Sequence, residues 1–303
     1  MSDLKLFRLQ KSAVTQLSVS AMALEKSLQE VFEKNLETLL GVRFLASEFV
    51  IEGGRMDSLG IDENRSPVIV EYKRSSNENV INQGLFYLDW LMSHRKNFEW
   101  LVMERLGKGE AEKVDWSGPR LICIAGDFTR YDENAVRQMN RNIDLIRYKR
   151  YGDDLILLEQ LTSTTATTAG TPPSAVGGGQ WVKGKYKTVS DSLAAAPKEL
   201  RDLYEALRAY CMAQGDDVAE KVTEYYVAFR RMKNFATVEL RNQVGKVLVY
   251  AKVDPKTVNM VEGFTRDVTR IGHFGTGNLE ITISSLADLE SAKLLIDRAY
   301  NEA

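Results

Sequence analysis

The chain has 303 residues, with 40 Lys+Arg against 42 Asp+Glu, two cysteines and two histidines. The length fits two domains, and a formal charge of −2 excludes a basic coat protein or an acidic tail. Cys123 and Cys211 cannot build a disulfide framework, and His94 and His273 cannot supply a three-histidine metal site. No apolar run approaches the roughly 18 residues a membrane span needs, and Met1–Gln10 lacks the apolar segment of a signal peptide. A soluble, cytoplasmic protein with no membrane partner is expected.

In chain order, Ala23–Leu40 carries Leu24, Leu28, Val31, Phe32, Leu36 and Leu39 at helical steps, and Gly41 supplies the stop. Strands are expected at Arg43–Phe49, Arg55–Gly60 and Pro67–Lys73, separated by Gly53-Gly54 and by the polar run Asp62–Ser66. Asn79–Met92 reads as a helix, Trp100–Glu104 and Leu121–Ala125 as strands, and Asn134–Met139 as a helix. Ile143–Arg147 and Leu155–Leu158 then read as strands, so residues 1–160 predict an α/β domain. Leu161–Gln180 is uncharged, poor in large apolar groups and runs into three glycines, which reads as a flexible linker over 161–182. The charge is −3 before Leu161 and +1 from it onward, so charge alone implies no polyanionic partner. Residues 183–303 read as a small α+β domain, with helices at Lys198–Met212 and Val218–Lys233. Strands around Ala236–Leu240, Val247–Tyr250 and Leu279–Ile283 and a helix over Leu286–Tyr300 complete it.

The informative chemistry is Gly54-Arg55-Met56-Asp57, followed by Glu71-Tyr72-Lys73. Residues two apart in a strand share a face, so Glu71 and Lys73 point together, and a neighbouring strand can bring Asp57 beside them. Two carboxylates and water suit a hard cation such as Mg²⁺. A lysine beside them can orient an attacking water and offset charge on a phosphorane-like transition state. The plainer reading of Glu-x-Lys is a solvated cross-strand pair. Against it, the buried-strand run Val68-Ile69-Val70 leads straight into these charges. Glu25 lies about 20° from Phe32 and Leu36 on a helical wheel at about 100° per residue, inside the apolar stripe. A buried carboxylate needs a partner or a metal, although a first-turn position favoured by the helix dipole also accounts for Glu25. Glu33 sits on the flank of the stripe. Gln83 and Tyr87 are four apart and share a helix face.

The order helix with Glu25, strand with Gly-Arg-x-Asp57, strand ending Glu71-x-Lys73, and helix with Gln83-x-x-x-Tyr87 resembles the PD-(D/E)XK nuclease superfamily. The Gln-x-x-x-Tyr element is similar to its RecB-type and NucS-type branches. The resemblance spans about Glu25–Leu158 and implies a restriction-endonuclease-like αβββαβ core. It implies Asp57 and Glu71 as ligands of Mg²⁺ or Mn²⁺, Lys73 as the catalytic lysine, Glu25 or Glu33 as an accessory acid, and Gln83 and Tyr87 as positioning groups. Met56 stands where the superfamily's name has proline, and no nucleic-acid-binding domain of the NucS kind is recognised in front, so mismatch specificity does not carry over. The implied activity is metal-dependent hydrolysis of DNA phosphodiester bonds, in repair or defence, by a protein for which a homodimer is an allowed state. The alternative is a catalytically silent nucleic-acid-binding or regulatory protein on the same fold.

Asn234-Phe235, Arg266-Asp267-Val268 and the run Gly272–Gly277 resemble an uncharacterised C-terminal domain family, domain of unknown function 5655, some of whose members are labelled "predicted transport protein". The glycine run either offers amides to an anion or simply leads into the next strand. Gly179–Tyr186 nearly spells a phosphate-binding loop, but Tyr186 replaces the Ser or Thr that reaches Mg²⁺ and no strand precedes it. Lys183 and Lys185 beside Trp181 and Tyr186, and Lys149 and Arg150 between Tyr148 and Tyr151, are candidate nucleic-acid contacts, as are Arg55 and Arg74. Either cluster also reads as solvated linker or strand.

Overall fold

A computed structural model describes residues 4–20, 25–73, 79–166 and 188–303. The architecture is mixed α/β and divides into two compact units, Met1–Ile61 with Pro67–Ala166, and Asp62–Ser66 with Thr167–Ala303.

The first unit opens with a hairpin that the sequence did not advertise, β1 (Phe7–Gln10) and β2 (Ala13–Gln16). Its residues are exposed throughout, so no alternation between core and solvent marks it. A short β3 (Val19–Ser20) follows. Helix α1 (Glu25–Leu40) buries Leu28, Phe32, Leu36 and Leu40. Then come β4 (Val42–Ile51), β5 (Gly54–Asp62), β6 (Pro67–Lys73), α2 (Asn79–Ser93), α3 (Arg95–Leu106) and α4 (Lys108–Ala111). The unit closes with β7 (Arg120–Ala125), α5 (Arg130–Gln138), β8 (Asn142–Tyr151) and β9 (Leu155–Thr164).

These strands form a sheet in the order β3-β8-β7-β6-β5-β4, with β9 also paired to β8. β6, β7 and β8 run parallel, whereas β5 is antiparallel to β6. Because β6 and β7 are buried on both faces, they are near-continuous apolar runs. Ile69 joins a core with Val80, Leu88, Leu91 and Phe98 from α2 and α3. On the other face the Phe32 ring of α1 lies 5.6 Å from that of Tyr72. Burying each such side chain contributes about 1.5–3 kcal/mol. One buried ion pair bridges β7 and β8: Arg120 meets Asp144 at 2.6 Å, with Ser163 donating to the same carboxylate.

Two expectations for this unit are corrected. Trp100–Glu104 is helix, not strand: Phe98, Leu101 and Val102 recur at helical spacing and are buried, while Trp100 is exposed. The low-complexity stretch begins as strand, since β9 runs through Thr164. Its β-branched threonines suit a pleated surface, and Thr164 donates to the Arg141 carbonyl. The rest of the expected linker, from 167 on, lies outside the described residues.

The second unit carries α6 (Val189–Ala194), α7 (Lys198–Met212), β10 (Ala219–Val222), β11 (Val227–Arg230), β12 (Asn234–Arg241) and β13 (Lys246–Ala251). β14 (Thr265–Asp267), β15 (Leu279–Ile283) and α8 (Leu286–Glu302) complete it. Its antiparallel sheet has the order β10-β11-β12-β13-β15-β14. Leu203 and Leu207 of α7 and Leu289 and Ile296 of α8 pack on the face that carries Val238, Val249 and Ile281. The expected helix Val218–Lys233 is instead the hairpin β10–β11. The Thr223 and Tyr226 backbones close its turn, and Val227 and Phe229 alternate inward with period two. The Gly272–Gly277 run lies flat on the other sheet face. A Cβ at Gly275 (φ 79°) would sit 2.4 Å from the Thr237 hydroxyl, and one at Gly277 (φ 135°) 2.5 Å from the Tyr250 backbone. Both positions therefore require glycine. Asn234 donates to Asn64 and to Thr276 within this unit.

Candidate active site

β5 and β6 pair as far as Ser58 opposite Val70. One step further, the same register sets Asp57 opposite Glu71, and there the side chains take over from the ladder. The Asp57 amide donates to Glu71 Oε1 at 3.1 Å, and the Tyr72 amide donates to Asp57 Oδ2 at 3.0 Å. Glu71 is completely buried, and its Oε2 has no hydrogen-bond partner among the described residues. On its other side the parallel register places Cys123 of β7 beside Glu71. That neighbour is apolar and fully buried, so it offers the carboxylate no solvation.

The electrostatics follow from this placement. Burial, and then the Asp57 charge, push the Glu71 carboxyl up to about 8. Burial also raises Asp57, against the pull of the Tyr72 amide and of Lys73. Burial, then the Glu71 charge, raise the Cys123 thiol. A pair of carboxylates held in this way is under-compensated, which is the condition in which a cation binds favourably.

Lys73 closes β6 on the face of Glu71, and its Nζ lies 3.0 Å from Glu25 Oε1 in the first turn of α1. Burial opposes the lysine's charge, but the Glu25 bond and the Asp57 and Glu71 charges outweigh it and hold its pKa above the ordinary value. Glu33 is placed elsewhere, accepting from Ser58 at 2.7 Å and from Gln29 at 2.8 Å. Gln83 donates to the Tyr87 hydroxyl at 2.8 Å, and that hydroxyl accepts the Arg55 amide at 3.2 Å. The Tyr87 ring lies so close to Gly54 that a Cβ there would stand 2.6 Å from it. The Gln-x-x-x-Tyr pair thus fixes the start of β5, three residues before Asp57.

Two residues near this centre escaped the sequence reading. Gln29 is buried, and its amide donates to Glu33, to Ser47 and to the Asp57 carbonyl. It lies between Glu25 and Glu33 on the same helix face, but only carboxylates there draw attention. Glu48, inside β4, has φ 53° and pairs with Lys26 at 3.2 Å and Arg55 at 2.5 Å. No residue pattern signals a left-handed glutamate within a strand.

Among the described residues no three His, Cys, Asp or Glu side chains gather as a metal cluster. What converges is the pair Asp57 and Glu71, with Glu25 turned to Lys73. Two carboxylates, one with a buried orphan oxygen, fit a hard divalent ion that keeps several waters.

Of the other candidate contacts, Arg55 is exposed, Lys149 is half-buried and Arg150 pairs with Asp153. Tyr148 and Tyr151 are buried and cannot stack on a base. Arg74, Lys183 and Lys185 lie outside the described residues, as does the Gly179–Tyr186 segment. In the glycine run, the Phe274 and Thr276 amides are taken by Glu239 and Thr237, so they are not offered to an anion. No helix among the described residues is long and apolar enough to cross a membrane.

Residues 189–303 match the family described as Domain of unknown function (DUF5655). An uncharacterized protein of Haemophilus influenzae is 29% identical over 316 residues, covering 99% of this chain and 100% of its own length. A crystal structure of a repair endonuclease from Pyrococcus abyssi aligns with TM-score 0.29 and 18% identity, over 44% of this chain and 51% of that one. EndoMS in a complex with dsDNA aligns with TM-score 0.27 and 16% identity, over 48% of this chain and 64% of that one. The chain thus spans between about half and two thirds of those structures.

Proposed function

We propose that the first unit is a divalent-metal-dependent nuclease that hydrolyses DNA phosphodiester bonds, built on a restriction-endonuclease-like core. The observation that supports it most is the buried Oε2 of Glu71, which has no hydrogen-bond partner among the described residues, opposite Asp57. Burial and the neighbouring Asp57 charge make the ionised form of Glu71 unfavourable in the metal-free protein, and a divalent cation between the two carboxylates would relieve both.

Asp57 and Glu71 are the residues that would hold Mg²⁺ or Mn²⁺. Bound there, the ion supplies Lewis-acid charge and lowers the pKa of water. The chain's own residues do the rest. Lys73 presents an ammonium to the phosphate oxygens, and Glu25 holds that ammonium in place and charged. Hydrogen bonds donated by the Asp57 and Tyr72 backbone amides hold the Glu71 and Asp57 carboxylates, respectively. Tyr87, steadied by Gln83, keeps β5 in register with β6.

The test is incubation of the purified protein with single-stranded, duplex and branched DNA in Mg²⁺ or Mn²⁺. Cleavage is expected, and is expected to vanish in Asp57→Ala and Lys73→Ala. If those variants cut as fast as the parent, the assignment is wrong. DNA binding without cleavage, with no calorimetric signal for the metal, would favour the silent binding module.

A further inference from the structure

Of the motifs of the second unit that the nuclease reading leaves unused, Arg266, Val268, Gly272 and His273 meet in one place. α7 and α8 cover one face of its sheet, and the Gly272–Gly277 loop covers only part of the other. Beside that loop lies an open cavity of about 600 Å³. Leu248 and Tyr250 of β13 and Glu280 and Thr282 of β15 form its floor, paired by register as Leu248 with Thr282 and Tyr250 with Glu280. Phe264, Val268 and Ile271 make an apolar wall. On the opposite side the His273 ring lies parallel to Tyr250, 4.1 Å away and tilted by 7°. Its two nitrogens face the Phe274 and Gly277 carbonyls, which fix the plane of the ring.

The charges are distributed unevenly. Arg241, Lys246 and Arg266 stand at the rim, with Glu262, the sunken Glu280 and the Glu239 that anchors Arg241 as their counter-charges. The Glu280 side chain is 8% exposed and lies under the Arg266 guanidinium, which is 57% exposed, at 2.7 Å. Arg241 is similarly half-exposed and anchored at 2.7 Å by Glu239. A bare anion has no use for the apolar wall, and an apolar ligand none for three cations around a sunken carboxylate. A cationic ligand would meet the exposed Arg266 guanidinium before it reached the sunken Glu280 carboxylate. A flat apolar body with a hydrogen-bond donor on one edge and a phosphate at the other end satisfies every part.

We propose that this cavity binds a nucleotide unit. The base lies against Leu248 and Phe264 beside the His273 ring, its amino edge donates to Glu280, and its phosphate meets Arg241, Lys246 and Arg266. A free nucleotide and a nucleotide within a strand present the same chemistry. The proposal stands on the second unit alone, whatever the first unit does.

The experiment is calorimetric titration of the full-length protein, in chelator, with the four deoxynucleoside 5′-monophosphates and with short single-stranded homo-oligonucleotides. Saturable binding is expected, with the thymine ligand, which has no amino group, weaker by on the order of tenfold. Lys246→Glu and His273→Ala should each weaken binding by on the order of tenfold or more, and Glu280→Ala, which removes the acceptor, should erase the preference for amino-bearing bases. Binding of monophosphates alone identifies a free nucleotide as the ligand; equal or tighter binding of oligonucleotides identifies a strand. No saturable binding of any of these ligands overturns the proposal. So does unchanged affinity in Lys246→Glu, a rim substitution that spares the core and decides the matter even if His273→Ala fails to fold.

Discussion

The Asp57 amide donates to the Glu71 carboxylate across the point where β5 and β6 stop pairing through their backbones. The two side chains replace the next rung of the ladder, so the end of the β5–β6 pairing and the candidate centre are one feature. The Tyr72 amide, bonded to Asp57, completes the exchange.

This arrangement predicts a pH dependence for the metal-free protein. The folded Glu71 carboxyl titrates at about 8 against an ordinary 4.5, so between those values the folded state holds a proton that the unfolded chain has lost. Stability therefore falls as pH rises from 4.5 and levels off above about 8. Thermal melts in chelator should show this decline. Glu71→Gln should flatten it and raise the midpoint at pH 8. Adding Mg²⁺ or Mn²⁺ should stabilise the parent and not the variant, and an equal shift in both would remove Glu71 from the site.

Lys73 and Glu25 should behave unequally. Lys73→Ala removes the ammonium that the proposed function sets against the phosphate and is expected to abolish detectable cleavage. Glu25→Gln keeps a hydrogen-bond acceptor for Lys73 Nζ, and its effect should be on the order of the 10–100-fold seen for supporting groups. Single-turnover cleavage rates measure both; a larger loss in Glu25→Gln than in Lys73→Ala would reverse the roles.

Gly54→Ala tests the contact beneath the Gln-x-x-x-Tyr pair. The added methyl would stand 2.6 Å from the Tyr87 ring, an overpacking that costs about 1–3 kcal/mol. Tyr87→Phe loses only the hydroxyl bonds to Arg55 and Gln83, about 0.5–1.5 kcal/mol. Gln83→Ala, further from Asp57, should slow cleavage by on the order of 10–100-fold. Urea denaturation alongside the cleavage rate separates stability from positioning.

Arg120→Ala should cost about 3–5 kcal/mol, because it leaves Asp144 buried and charged without its partner. Replacing the pair together, as in R120M/D144L, should cost far less. Equal losses in the single and double variants, measured by chemical denaturation, would show that the pair is not coupled.

Arg55→Ala should weaken DNA binding uniformly across sequences and reduce the slope of log affinity against log salt by about 1. The exposed guanidinium is held by Glu48, so Glu48→Gln should loosen the same contact to a smaller degree.

The residues of the candidate centre were legible because their signals are local. Leu28, Phe32 and Leu36 lie at helical spacing on α1, and Val68-Ile69-Val70 is apolar enough to be buried on both faces, so the ends of these elements and the charges at them follow from the sequence. Short apolar runs are ambiguous, which is why Trp100–Glu104 and Val218–Lys233 took the other secondary structure once their neighbours chose which side chains to bury. Strand register, which sets Asp57 against Glu71, and the direction each carboxylate turns are consequences of pairing between distant segments. So are Glu25 reaching Lys73 while Glu33 turns to Ser58, the left-handed backbone of Glu48, and the gathering of Arg266, Glu280 and His273 around one cavity. Local pattern settles which residues are present at the end of each strand; only packing, through desolvation and the proximity of like charges, decides which of them become chemically unusual.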